Sequence, residues 1–536
     1  MLIAQLPPDS HWASRSQTLP PATLGAAGEA VAADAVAGDA GVGDGGGGGG
    51  GGGGSGGNRG PGGGSGTIGR GTPSRGGGAD GTAGDRVGAP PYAAPSSVRS
   101  GGDTTRGGGA ARGSQGTIGR RGGEGESRPL KLTIGNGVRF DSADEEFQLQ
   151  FHNLTQAEMR NFPGLGGQSP LKSQFFIPRQ RWYFTGRATR NIEFYTVINR
   201  GYGSLDLLDA FLNFNYDPRV QFRIGRTKTP TSYEYYQIAE GDLIAPERSL
   251  FIGNYAGNRQ EGAMFHGQIL DKRAEYAVGV FNGPRRSFGD FNNDKDLYTF
   301  FNVRPWQDSE AFTALKYMNL GGTYNFGNEQ NPVQPSILTT ANDQSSPASN
   351  AVLAGLSPTF LRFNTNIQES GNRAQWAGWA AWYYKSLNVL AEYDGGHQNY
   401  QVTGQRNRTD VGLQGFSTTI YYFLTGEEIT RRVDVKPKHD FAFKNGRLTG
   451  IGGFEIYGRF SALDLSNNVF TGGLADRNLW SNHAQAIDVG LNWYLNRYTK
   501  IYINYQRAIF GDPVFNGPNT FTRGTNLFDL RFQLFF

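Results

Sequence analysis

The chain has 536 residues, with 81 glycines, 4 methionines and no cysteine, which excludes a disulfide framework, a thiol nucleophile and a zinc–thiolate site. A formal net charge of +4 is too small for bulk attraction to nucleic acid. Mean hydropathy is −0.50 and no run nears the roughly 18 apolar residues of a membrane-crossing helix, so a helical membrane protein is excluded; a closed β-barrel, whose signal is alternation, is not.

About half of the glycines precede residue 130, among them the run Gly45 to Gly54, and the aromatics there are Trp12 and Tyr92. Such a stretch lacks the apolar area to offset ordering entropy, so residues 1–129 are expected to be a disordered, low-complexity segment. Gly66 to Arg70 and Gly116 to Arg120 repeat the same five residues, which reads as low-complexity duplication. Met1 to Gln5 has neither the basic start nor the apolar stretch of roughly 7–15 residues of a signal peptide. No leader is evident at the given start, unless the Ala/Gly-rich stretch Ala22 to Val42 serves as a weak one.

From residue 130 the texture changes to aromatic-rich alternation, and 130–536 reads as one domain. After an extra strand near 130–140, sixteen strands are expected at 147–158, 175–186, 191–200, 206–216, 220–226, 259–269, 274–282, 297–303, 313–325, 372–384, 387–396, 411–424, 452–463, 485–495, 500–507 and 526–536. Their period is two: Phe528, Leu530, Phe532, Leu534 and Phe536 share one face of the last strand, with Asp529, Arg531 and Gln533 on the other. Connections mostly alternate between tight (Asp217-Pro218, Asp271-Lys272, Lys385-Ser386) and long (227–258, 326–371, 464–484, 508–525). An even number of strands with short turns at one end and long loops at the other is the pattern of an all-β transmembrane antiparallel barrel, its termini at the short-turn end. The connection 425–451 is long although it falls at that end, and alternation gives no reason for it beyond a mouth-lining segment.

Within this barrel, Arg179, Arg181 and Tyr183 share the polar face of one strand, and Arg219 and Arg223 that of another. An anion entering a narrow pore loses hydration, and guanidinium groups replace those contacts with planar donors. Trp182, Trp306, Trp379, Trp382 and Trp493 read as interfacial girdles. Asp290, Asn292, Asp294 and Asp296 mimic a calcium loop but lack its sixth-position glycine, and Phe301 stands where a bidentate glutamate belongs, so no metal and no cofactor is expected. The six histidines are scattered and none sits in a nucleophile motif, which argues against an enzyme.

Several stretches resemble the phosphate-selective porins of the O and P type: Asp209-Ala210-Phe211-Leu212, Gly225-Arg226-Thr227-Lys228-Thr229-Pro230, Pro246-Glu247-Arg248-Ser249-Leu250, Val280-Phe281-Asn282-Gly283, Tyr422 to Glu427, Arg459 to Leu465 and Gly490 to Asn496. The resemblance implies a 16-stranded outer-membrane barrel, usually trimeric, whose third outward loop folds into the lumen; here that loop is 227–258, carrying Lys228 and Arg248. Thr227, Thr229 and Leu208 depart from the family's usual phenylalanine, acid and lysine, which bears on phosphate selectivity and leaves the barrel untouched. The anion-binding stretch is therefore expected at Arg179, Arg181, Arg223, Arg226 and Lys228, with Arg248 and Asp209 shaping it. An alternative for Arg248 is a pairing with Glu247 or Asp242 that pins the loop, and for Arg531 a cross-strand pair with an acid such as Asp488.

The expected function is passive diffusion of small anions of the phosphate class across the outer membrane of a Gram-negative-type cell, with membrane lipid and two further copies of the chain as partners. Two alternatives stand beside it: a structural barrel tethered through its Gly-rich tail, and a diffusion pore for sugars or other neutral solutes with weak ion selectivity.

Overall fold

A computed structural model describes residues 129–165, 169–341 and 350–536; the segment expected to be disordered, 1–129, lies outside them but for its last residue. Two short strands, β1 (Leu130–Gly135) and β2 (Gly137–Ser142), form a hairpin, and β2 pairs with the start of β3 (Gln148–Asn161). This is the extra strand expected near 130–140, doubled.

Up to the inward loop the wall continues with β4 (Gln174–Thr189), β5 (Ile192–Gly201), β6 (Ser204–Asp217) and β7 (Val220–Lys228). The loop carries α1 (Tyr233–Tyr236), a 3-10 turn (Glu240–Asp242) and α2 (Leu250–Tyr255), and leads into β8 (Arg259–Ile269), β9 (Ala274–Phe281), β10 (Asp296–Val303) and β11 (Asn319–Pro332). A long connection holding β12 (Ile337–Thr339), α3 (Asn350–Leu356) and β13 (Thr359–Arg362) precedes β14 (Ile367–Tyr384), β15 (Leu387–Val402) and β16 (Arg408–Phe423). The small hairpin of β17 (Ala442–Lys444) and β18 (Arg447–Gly450) comes before β19 (Gly453–Leu465). Then α4 (Asn468–Thr471), β20 (His483–Tyr494), β21 (Thr499–Phe515) and β22 (Phe521–Phe535) complete the chain.

The wall is a closed antiparallel barrel of 16 strands. Its seam is β22 against β3, where Arg531 lies opposite Glu158 and Phe532 opposite Ala157. Closure leaves no edge, so the backbone donors and acceptors of the wall are paired within it, the condition lipid imposes.

Side-chain burial is inverted relative to a protein dissolved in water. Along β22, Phe532 is 51 % exposed while its neighbour Arg531 is 0 % exposed; Ile224 of β7 and Val280 of β9 are exposed likewise, against buried Arg223 and Phe281. An apolar outer face this extensive is stable only against hydrocarbon. Charged groups fill the interior, and the inward loop packs against them.

Short turns at 190–191, 218–219, 270–273, 385–386 and 495–498 gather at the end where β3 begins and β22 ends, and the longer loops lie opposite apart from 304–318 and 424–452. Two expected loop spans contract: β11 and β14 lengthen to leave 333–366, and β21 and β22 lengthen to leave 516–520. The long connection 424–452 at the short-turn end now has a physical account. It turns into the mouth, where Arg432 donates to both Glu455 carboxylate oxygens, to Tyr494 Oη at 2.8 Å and, through Nε, to Asp242 O at 2.8 Å.

Candidate functional site

Residues 229–258 cross the lumen and bond to the far wall: Asn492 donates to Ile244 O, Lys500 to Leu243 O, Gln533 to Gly241 O and Arg459 to Glu247 O. At the near end, the Ser232 hydroxyl accepts from the Tyr235 N–H at 2.9 Å to start α1. At the far end α2 lies so close to the wall that a Cβ on Gly415 would stand 2.5 Å from Phe251 Cβ. Apolar loop residues, among them Leu243, Ile244, Leu250 and Phe251, are buried, so the loop is packed in place rather than suspended.

Two of its three glutamates meet the basic wall. Glu240 is reached by Arg181 at 2.9 Å, Arg248 and Arg259 at 3.4 Å each and Lys228 at 3.7 Å. Glu247 is reached by Arg179 and Arg531 at 2.5 Å and by Arg160 at 3.5 Å. Burial opposes ionisation of Glu240, but the charges of Lys228, Arg181, Arg259 and Arg248 prevail and hold its carboxyl well below the usual carboxylate range. Cations exceed the carboxylates that bridge them, so the space between wall and loop favours negative charge.

Across the barrel the loop meets carboxyl groups instead. Glu392 on β15 accepts the N–H groups of Tyr233 at 2.6 Å and Glu234 at 3.1 Å. Asp394, two residues on, is buried, and among the described residues neither of its carboxylate oxygens has a hydrogen-bond partner. The loop separates a basic wall (β3, β4, β7, β8, β22) from this acidic one.

Of the residues singled out in the sequence, Arg181, Lys228 and Arg248 converge on Glu240, Arg179 on Glu247, and Asp209 joins the first group through Arg259 at 3.4 Å. Arg248 does bind acid, but its partner is Glu240, and it also donates to the backbone oxygens of Glu234 and Ile238. Arg223 lies lower on β7, its guanidinium 4.4 Å from the Phe211 ring and its Nη1 3.4 Å from Thr227 Oγ1. Arg226 is set apart. It grips Glu261 at 2.9 Å and the carbonyls of Leu207, Ser287 and Arg286, under the Phe288 ring. The neighbouring Gly225 is required: φ is +128° and a Cβ would stand 2.3 Å from Ala210 O. Arg219 belongs to the 218–219 turn, exposed and paired with Asp217 at 2.5 Å.

Arg531 does not pair with Asp488; it binds Glu158 and Glu247, while Asp488 takes Arg459 at 2.9 Å. Sequence reasoning missed Arg160 and Arg259 because each sits at a strand end, and the only available signal for Arg160 was its i+2 spacing from Glu158 on one face of β3. Trp379 is no girdle residue. It is buried in the lumen, stacked on Phe300 at 4.9 Å and donating to Asn302 at 3.0 Å. The acidic stretch at 290–296 is tied by Lys295 to Asp290 at 2.6 Å and by turn hydrogen bonds.

A sequence profile of the family described as Phosphate-selective porin O and P matches residues 147–509. No curated protein sequence matches the chain. Among solved structures, similarity extends to OmpT, an outer membrane protein of Vibrio cholerae (9 % identity, 73 % of this chain and 100 % of that one, TM-score 0.44). It extends also to an anion-selective porin from Comamonas acidovorans (10 %, 73 % and 100 %, 0.41) and the outer membrane channel DcaP of Acinetobacter baumannii (10 %, 74 % and 99 %, 0.42).

Proposed function

The chain belongs to the phosphate-selective porin O and P family, and from that premise we propose that this outer-membrane channel passes small anions of the phosphate class by passive diffusion. One observation carries the reading: Glu240 and Glu247 of the inward loop each bridge several cations of the lumen wall. An anion moving along this seam takes over guanidinium and ammonium donors from a carboxylate already held there. The exchange replaces one charge-assisted contact by another and avoids the cost of a bare anion in a narrow passage. Arg179, Arg181 and Lys228 are the donors in this scheme, Arg248 and Asp209 position them, and Arg223 and Arg226 flank the route.

The same reading carries a homotrimer in the outer membrane of a Gram-negative-type cell, supported by the family's habit and tested by native mass spectrometry in detergent. A pore for neutral solutes such as sugars is a second reading, favoured by the aromatic group Tyr233, Phe300 and Trp379 inside the lumen. Single-channel recording separates the two. Phosphate added to a chloride electrolyte should reduce chloride current in a saturable way, whereas a neutral sugar that blocks in its place would favour the second reading.

A further inference from the structure

At the long-loop end, outward of the inward loop, lies a cavity of about 620 Å³ between residues 170–171, 354–365 and 476–480 and the ends of β21 and β22. It is set on the lumen side of these strands, since Phe510 and Thr525, which line it, belong to their buried faces. Its volume lies in the range of sites for organic ligands and far exceeds the space of an inorganic anion.

The lining is mainly apolar and aromatic. Trp480 and Phe515 meet edge to face at 6.4 Å, and Phe363 and Phe510 complete the ring-bearing wall. Three polar groups in it have unspent capacity. Thr525 is 3 % exposed, and among the described residues neither its Oγ1 nor that of Thr359 has a hydrogen-bond partner. Arg362 is exposed with its guanidinium 5.7 Å from the Trp480 ring, and among the described residues no carboxylate pairs with it. Asp476, the acid of the lining, is committed to its own turn, accepting from Asn478 N and Nδ2 at 2.8 and 3.1 Å.

We propose that this cavity is a binding site for an amphipathic organic anion, namely an aromatic carboxylate. Its ring fills the space among Trp480, Phe363, Phe510 and Phe515, its carboxylate pairs with Arg362, and the buried Thr525 hydroxyl donates to it or to a ring substituent. Unsatisfied buried hydroxyls cost free energy in an empty pocket, and a guanidinium over an indole face is pre-oriented for a planar anion. The site lies outside the Glu240–Glu247 seam, so its ligand is independent of the small anions that use that seam.

Isothermal titration of the full-length protein in a nonionic detergent, with naphthalene-2-carboxylate as the probe, tests this without any transport. The expected result is saturable binding, one probe per chain. Arg362→Gln should raise Kd about tenfold or more, and Thr525→Val about threefold. For the wild type, neutral naphthalene-2-carboxamide should bind as weakly as the carboxylate binds to Arg362→Gln. No saturable binding to the wild type, equal binding of carboxylate and carboxamide, or equally strong binding of inorganic phosphate at this site would each overturn the proposal.

Discussion

Arg179 on the barrel wall and Glu247 on the inward loop are 2.5 Å apart, and both are buried. This contact ties a strand that alternation reveals to a loop that has no period, and Glu247 holds Arg531 and Arg160 as well. Glu247→Gln should therefore leave three guanidinium groups short of a counter-charge and raise the anion-to-cation permeability ratio by about twofold or more. A zero-current potential that stays put in this variant would mean that Glu247 only anchors the loop.

Lys228 reaches Glu240 and lies 4.6 Å over the Tyr235 ring. Lys228→Glu places two carboxylates where a cation met one, so chloride and phosphate conductance should both fall, by about fivefold at low salt and less at high salt, as screening grows. Unchanged single-channel current removes Lys228 from the anion route.

A pH dependence of the channel is expected from Asp242. Burial is the main cause that pushes its carboxyl up to about 6; the nearby Asp434 adds to the shift, and Arg432 and Lys500 oppose it. The folded state thus holds a proton that the unfolded chain, with an ordinary carboxyl, has lost. This contribution to stability is full at low pH and declines as pH rises from about 4 to about 6. Above that window Asp242 adds a negative charge to the loop, so anion preference should weaken between pH 5 and pH 7, and Asp242→Asn should abolish that step. Reversal potentials at the two pH values, with and without the substitution, decide it.

Arg432 joins the 424–452 connection to Glu455, Tyr494 and the inward loop. Arg432→Ala strands a buried carboxylate, a loss of about 3–5 kcal/mol. The temperature at which the barrel unfolds in dodecyl sulfate gels should drop clearly, with noisier open-channel current from a loosened loop. If neither changes, the connection does not brace the constriction.

Much of the wall was legible because its physics is local. A lipid face and a wet face alternate with period two in strands such as 175–186 and 526–536, so Arg179, Arg181 and Arg531 could be assigned to the wet side from spacing alone. Strand ends were harder. Gly511, Asp512 and Pro513 have turn character, yet β21 runs through them: pairing with β22 shifts register between Ile509 and Val514, and such an irregularity tolerates a proline.

The site's acidic half was not legible. Glu240 and Glu247 stand in a segment without periodicity, and their partners on β3, β4, β8 and β22 are distant in sequence and brought near by barrel closure. Trp379 misled for a related reason: a tryptophan on a wall strand reads as interfacial until the register places Ala377, Trp379 and Ala381 together on the buried face of β14.

The central claim is that cations bridged by loop carboxylates give this barrel a preference for anions. Its most direct test is the zero-current potential of the purified protein in a planar bilayer under a potassium chloride gradient, repeated with potassium phosphate. The account predicts a potential of the sign set by anion flow in both salts; a potential set by potassium flow in the wild-type channel would contradict it.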